Sequence, residues 1–169
     1  DVKTHRTVPD LFQYTKNIKH LGMIDDTQSL GSPSFYKNRE MSKIQYRILP
    51  KIEREIKLRL YPTYNYFRVY NSESTLPIHI DREECEISIT LNLGYDGDYN
   101  WPIWIKDSDN IDHEVTLEPG DGLIYKGFDL KHWREPADER VICQSQLFMH
   151  FVDQNGPYGN LLLDEDCWE

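Results

Sequence analysis

Apolar residues recur at every fourth position between Arg39 and Leu60, at Ile44, Ile48, Ile52, Ile56 and Leu60. That spacing lays one apolar stripe along an amphipathic helix. Pro50 lies inside the stretch and is expected to kink the helix or split it in two. A shorter helix is expected around Pro9–Lys19, with a turn-rich stretch at Gly31-Ser32-Pro33-Ser34 after it.

Beyond Tyr61-Pro62 the period changes to two. Cys85, Ile87, Ile89, Leu91 and Leu93 alternate with Glu86, Ser88, Thr90 and Asn92, the mark of a strand with one buried face. Shorter strands are expected at Asn65–Asn71, Trp101–Lys106, Glu114–Leu117, Leu123–Tyr125 and Leu130–Arg134, separated by turn signals such as Pro119-Gly120-Asp121-Gly122. The last strand, Arg140–Val152, carries Val141, Cys143, Leu147, Met149 and Phe151 on one face, and Arg140, Ile142, Gln144, Gln146, Phe148 and His150 on the other. The first face suits a core under helices; the second, mixed and polar, suits the lining of a cavity. Many short strands after N-terminal helices predict a mainly β protein, a double-stranded β-helix (jelly roll, cupin-like) backed by α-helices. One domain is expected over 1–169, with helical support in 1–60, the jelly-roll core in 61–153 and a tail in 154–169.

Composition narrows the partners. Of 169 residues, 38% are hydrophobic and 12% aromatic, which supplies a core and argues against disorder. The formal net charge of −10 repels phosphate backbones and disfavours nucleic acid as a partner. No apolar run approaches the roughly 20 residues of a membrane span, and no signal-peptide pattern is present. The chain opens at Asp1 rather than Met, so a processed or trimmed terminus is expected. Cys85, Cys143 and Cys167 are far apart and form no CxxC pair. They read as reduced thiols, Cys85 and Cys143 within strands and Cys167 in the tail, which points to a reducing compartment, the cytoplasm.

The candidate chemistry starts at His79-Ile80-Asp81. Two ligand-type side chains at i and i+2 project from one face of a strand. His132, brought in by a second strand, would complete two imidazoles and one carboxylate on one side of a metal ion. Three protein ligands on one octahedral face leave three positions open, the arrangement of non-haem Fe(II) oxygenases. The other histidines, His5, His20, His113 and His150, read as capping, pairing or packing residues; for His150, which faces the same side as Arg140, a place behind the metal ligands is the alternative. Glu83, Glu84 and Glu86 read as a solvated turn. Trp133 is expected to pack against the ring of His132 and fix it.

Around these residues a resemblance becomes specific. From about Tyr61 to Asp153 the chain resembles the 2-oxoglutarate/Fe(II)-dependent oxygenases, in particular their prolyl 4-hydroxylase-like members. The residues that carry it are PTYNYFRVY (62–70), HID (79–81), CEISITLNL (85–93), EPGDGLIYKG (118–127), HWRE (132–135) and the strand opened by Arg140. The resemblance implies that His79, Asp81 and His132 bind Fe(II), with 2-oxoglutarate as cosubstrate, O₂ as oxidant and ascorbate in support. It implies hydroxylation of an unactivated C–H bond, of a prolyl residue or another peptide or amino-acid substrate, with release of succinate and CO₂. Asp81 implies hydroxylation rather than halogenation, because halogenases leave that ligand position to the halide.

The family holds the far carboxylate of 2-oxoglutarate on a Lys or Arg, commonly about ten residues beyond the distal His, and a planar guanidinium suits a carboxylate. Arg140, eight residues beyond His132, is expected to fill this role; Arg134, which shares strand parity with His132, is its competitor. Tyr70, nine residues before His79, is expected to reach the same carboxylate. Asn92, Gln144 and Gln146 are candidate lining residues. Loops at 71–78, 95–100 and 1–38 are expected to set substrate choice. The rival readings are a nucleic-acid demethylase of the same superfamily and a cupin-type metal-binding or structural module that does not use 2-oxoglutarate.

Overall fold

The computed structural model describes residues 6–161, so His5 and Cys167 lie outside the described residues. Helix α1 (Val8–Ile18) begins at a capping box: the Thr7 hydroxyl accepts from the Asp10 amide, and the Asp10 carboxylate accepts from the Thr7 amide at 2.9 Å. Helix α2 (Arg39–Ile56) begins where the Asn38 side chain accepts from the amides of Glu40 and Met41. It runs through Pro50 without the expected split and stops where Lys57 turns left-handed at φ 58°. Leu60, read as the last turn of this stripe, is therefore not helical. It opens the next strand and is buried there.

Among the described residues nine strands follow the order β1 (Ser34–Tyr36), β2 (Leu60–Tyr70), β3 (Leu76–His79), β4 (Ile87–Asp96), β5 (Ile103–Lys106), β6 (Asp112–Val115), β7 (Gly122–Tyr125), β8 (His132–Arg134) and β9 (Cys143–Asp153), with β1 lying before α2. They form a five-stranded sheet, β1-β2-β9-β4-β7, and a four-stranded sheet, β3-β8-β5-β6, with every pairing antiparallel. This is the expected two-sheet jelly roll. One boundary differs in kind: Cys85 closes a 3₁₀ turn, Glu83–Cys85, ahead of β4 rather than lying in the strand. Both described cysteines are free and buried.

The alternation read along β4 and β9 decides where the core sits. Phe67 and Val69 of β2, Ile87 and Ile89 of β4 and Leu147, Met149 and Phe151 of β9 face the helices and pack with Leu11, Met41 and Ile52. The opposite face of the same sheet buries Arg68, Tyr70, Ser88, Thr90, Gln144, Gln146 and His150. A sandwich interior this polar is costly unless its groups are paired or serve a ligand. The space between the two sheets is therefore where a site belongs.

Candidate active site

His79 and His132 are register partners across β3 and β8, with ring centroids 4.2 Å apart. Each ring is tied down the same way. The Nδ1 of His79 lies 2.7 Å from the Pro77 carbonyl, and the Nδ1 of His132 lies 2.9 Å from the Leu130 carbonyl. A carbonyl can only accept, so both Nδ1 atoms carry a proton, which leaves Nε2 as the ring atom available to a metal. Asp81 follows β3 with its amide bonded to the Gly127 carbonyl at 2.9 Å. Its Oδ1 sits 3.4 Å from each Nε2. Two donors that each sit about 2.1 Å from one ion stand roughly 3.0–3.4 Å apart, so the donor set fits a single small cation. Burial alone would raise the Asp81 carboxyl, but hydrogen bonding with His132 and His79 outweighs it and holds the group well below the usual carboxylate range. The result is an ionised carboxylate facing two imidazole nitrogens, a donor set that could hold a metal ion.

Arg134 stands two residues beyond His132 on the same face of β8 and is 3% exposed. Its Nη1 donates to the Trp101 carbonyl, and its Nε has no partner in the protein. Trp101 and Tyr70 flank the guanidinium with ring centroids 5.1 and 5.7 Å away. Burial lowers its pKa despite the neighbouring tyrosines Tyr70 and Tyr125. Arg140, expected as the anchoring cation, is elsewhere: it lies in the turn before β9, exposed, with its Nη2 on Asp138 at 2.6 Å and its guanidinium over Tyr99. The reason is local, because β9 starts only at Cys143, so Arg140 never enters the strand whose parity would turn it inward. Tyr70 is fully buried between two arginines, Arg134 and Arg68. Arg68 donates to the Tyr70 hydroxyl at 3.4 Å, but it is already paired with Asp26 at 2.5 Å.

No family profile matches this sequence, and no curated protein matches it by sequence. Solved structures do match. A Pseudomonas putida prolyl-4-hydroxylase is similar over 86% of this chain and 85% of that one, at 15% identity and TM-score 0.67. The non-haem α-ketoglutarate-dependent epimerase SnoN of nogalamycin biosynthesis is similar over 86% of this chain and 71% of that one, at 10% identity and TM-score 0.70. A Trichoplax adhaerens prolyl hydroxylase, solved with a hypoxia-inducible-factor peptide fragment, is similar over 84% and 76%, at 14% identity and TM-score 0.58. The fold is that of the 2-oxoglutarate/Fe(II) oxygenases.

On this oxygenase fold a cleft of about 450 Å³ opens beside the triad. Tyr36, Tyr64 and Tyr66 form one wall, stacked with centroid separations of 5.0 to 6.4 Å. Asp26, Gln28 and Tyr36, from the segment before α2, also line it. Burial pushes the Tyr64 hydroxyl well up and the Cys85 thiol up to about 12, so neither ionises near neutrality. The three expected polar lining residues divide. Asn92 is spent on the Leu117 carbonyl and the Gly94 amide, and Gln144 grips both the amide and the carbonyl of Trp101. Gln146 accepts from Thr90 but leaves its Nε2 unpartnered and buried.

Trp133 does not touch the ring of His132. It is the cross-strand partner of Trp104, stacks on it and donates to Glu135, on the opposite face of the small sheet. Tyr125 instead meets His132 edge-on at 4.8 Å, a neighbour that sequence reasoning missed. Arg68 was missed too, although the alternation Tyr64, Tyr66, Arg68, Tyr70 along β2 signals it. His113 pairs with Asp107 at 2.7 Å, a surface role as expected.

Proposed function

We propose that this chain is an Fe(II)- and 2-oxoglutarate-dependent dioxygenase that hydroxylates a C–H bond of a peptide or amino-acid substrate, a prolyl residue first among them. The observation that carries the reading is the conjunction of the triad with Arg134, a dry guanidinium with a free Nε two residues from His132. A structural or cupin-type metal module has no use for that cation.

His79 Nε2, His132 Nε2 and Asp81 Oδ1 would hold the iron. Three protein ligands would leave positions on the ion for 2-oxoglutarate and O₂. When bound, iron and 2-oxoglutarate supply the oxidising chemistry: succinate and CO₂ leave and the substrate gains a hydroxyl. Arg134 and the Tyr70 hydroxyl would bind the far carboxylate by charge-assisted hydrogen bonds, which are strong in so dry a place. Trp101 and Phe148, packed with Tyr70 in one apolar cluster, would keep water from Tyr70 and the neighbouring Arg134 guanidinium. The wall of Tyr36, Tyr64 and Tyr66 orients the substrate, and stacked aromatic faces suit a proline ring in an extended peptide. The peptide-bound Trichoplax relative supports a peptide ligand for this cleft. The charge of −10 weighs against nucleic acid. The buried free thiols Cys85 and Cys143 support a reducing compartment such as the cytoplasm.

The test is aerobic incubation with Fe(II), 2-oxoglutarate, ascorbate and a library of peptides and amino acids, read by mass. The reading requires a gain of one oxygen on a library member together with succinate formation. Metal binding with no consumption of 2-oxoglutarate on any member overturns it.

A further inference from the structure

Asp81 has a second carboxylate oxygen, and the protein holds it separately. Ser88 Oγ donates to Asp81 Oδ2 at 3.2 Å, while Oδ1 points at the two imidazoles. Ser88 in turn is the cross-strand partner of His150, whose Nδ1 lies 2.9 Å from the same hydroxyl. The hydroxyl has one proton and three neighbours able to accept it: Asp81 Oδ2, the Cys85 carbonyl at 3.2 Å and His150 Nδ1. An ionised carboxylate is the strongest acceptor of the three. The proton therefore goes to Asp81, and His150 must donate Nδ1–H to the serine oxygen.

Everything around this chain is tight. His150 is 2% exposed, and its ring packs against Tyr64 at 4.6 Å and Tyr66 at 5.8 Å. Its carbonyl accepts from Gln45 of α2 at 3.0 Å. Behind the carboxylate, a Cβ at Gly127 would stand 2.3 Å from Ser88 Oγ and 2.5 Å from Asp81 Oδ2, so only glycine lets the main chain close that side.

We propose that His150 and Ser88 are positioning residues that dictate which oxygen of Asp81 meets the metal: His150 Nδ1–H donates to Ser88 Oγ, whose hydroxyl donates to Asp81 Oδ2, leaving Oδ1 as the one metal-facing oxygen. The inference rests on the triad being a metal site. A carboxylate held this way ligates through a single oxygen and keeps open a position that a freely turning carboxylate would fill with its second oxygen. The same imidazole is stacked against the tyrosine wall of the cleft, so the device joins the substrate wall to the metal ligand.

The experiment is anaerobic titration with Co(II) alone, reading affinity and the visible absorption of the bound metal, in wild type, Ser88→Ala, Ser88→Thr, His150→Phe and His150→Asn. Asparagine places an amide N–H where Nδ1–H stands, whereas phenylalanine keeps the ring and loses the donor. Ser88→Ala and His150→Phe are expected to bind Co(II) about ten- to hundredfold more weakly, with an altered absorption spectrum and an unchanged near-ultraviolet circular dichroism. Ser88→Thr and His150→Asn are expected to recover wild-type affinity and spectrum. Wild-type behaviour of Ser88→Ala and His150→Phe overturns the proposal, as does a His150→Asn defect equal to that of His150→Phe. Wild type that binds Co(II) no better than Asp81→Ala overturns the metal-site reading itself, and this inference with it.

Discussion

His79 and His132 sit opposite each other across β3 and β8, and each spends its Nδ1 on the carbonyl two residues before it. Sheet register sets the distance between the rings, and the local backbone sets their tautomer, before any ligand arrives. A preorganised donor pair of this kind binds metal without first paying to order its side chains.

Asp81 supplies the only carboxylate of the triad. Asp81→Ala is expected to abolish hydroxylation and to weaken Fe(II) binding by at least about tenfold, while leaving secondary structure intact. Metal titration alongside far-ultraviolet circular dichroism checks both halves, and full turnover in the variant would remove Asp81 from the site.

Arg134 and Arg140 give opposite expectations. Removing one partner of a buried charge pair costs about 2–5 kcal/mol, so Arg134→Ala should weaken 2-oxoglutarate binding by at least about thirtyfold with little change in metal affinity. Arg140→Ala removes an exposed pair with Asp138 and should leave cosubstrate binding unchanged. Equilibrium titration of 2-oxoglutarate against the metal-loaded variants measures both.

These two arginines also mark how far the sequence alone could be read. The i, i+2 spacing of His79 and Asp81 and the alternation along β4 and β9 are local properties, so that ligand pair, the core face and the two-sheet architecture were legible, whereas His132 joins the pair only through the register of β3 with β8. The choice between Arg134 and Arg140 depends on where β9 begins, and the turn that delays it to Cys143 is not encoded in periodicity. Leu60 kept the four-residue spacing of α2 yet belongs to β2, because Lys57 in a left-handed conformation ends the helix first. The Arg68–Asp26 pair joins residues 42 positions apart, and only the tertiary fold brings them together.

Gly127→Ala tests the packing behind the carboxylate. Its Cβ would meet Ser88 Oγ, Asp81 Oδ2 and, at 2.8 Å, the Cys85 carbonyl, which cannot retreat as a flexible side chain could. The variant is expected to lose about 1–3 kcal/mol of stability and to bind metal more weakly than wild type, by urea unfolding and metal titration respectively. A variant with wild-type stability and metal affinity would show that the contact is slack.

His150 makes stability depend on acid. Burial pulls its pKa down to about 4, so in mildly acidic solution the unfolded chain binds a proton that the folded one refuses. Stability from this group is complete above the unfolded value near 6.5 and drains away as the pH falls from there towards about 4. The loss is on the order of 3 kcal/mol. Metal-free His150→Asn should therefore show a shallower fall in unfolding free energy than metal-free wild type over that window. Parallel curves would mean that His150 titrates freely.

The most direct test is a crystal structure grown without oxygen in Fe(II) and 2-oxoglutarate. The account predicts one ion within about 2.2 Å of His79 Nε2, His132 Nε2 and Asp81 Oδ1, with the far carboxylate of 2-oxoglutarate on Arg134 and Tyr70. An ion held by other residues, or a cosubstrate carried by Arg140 at the surface, contradicts it.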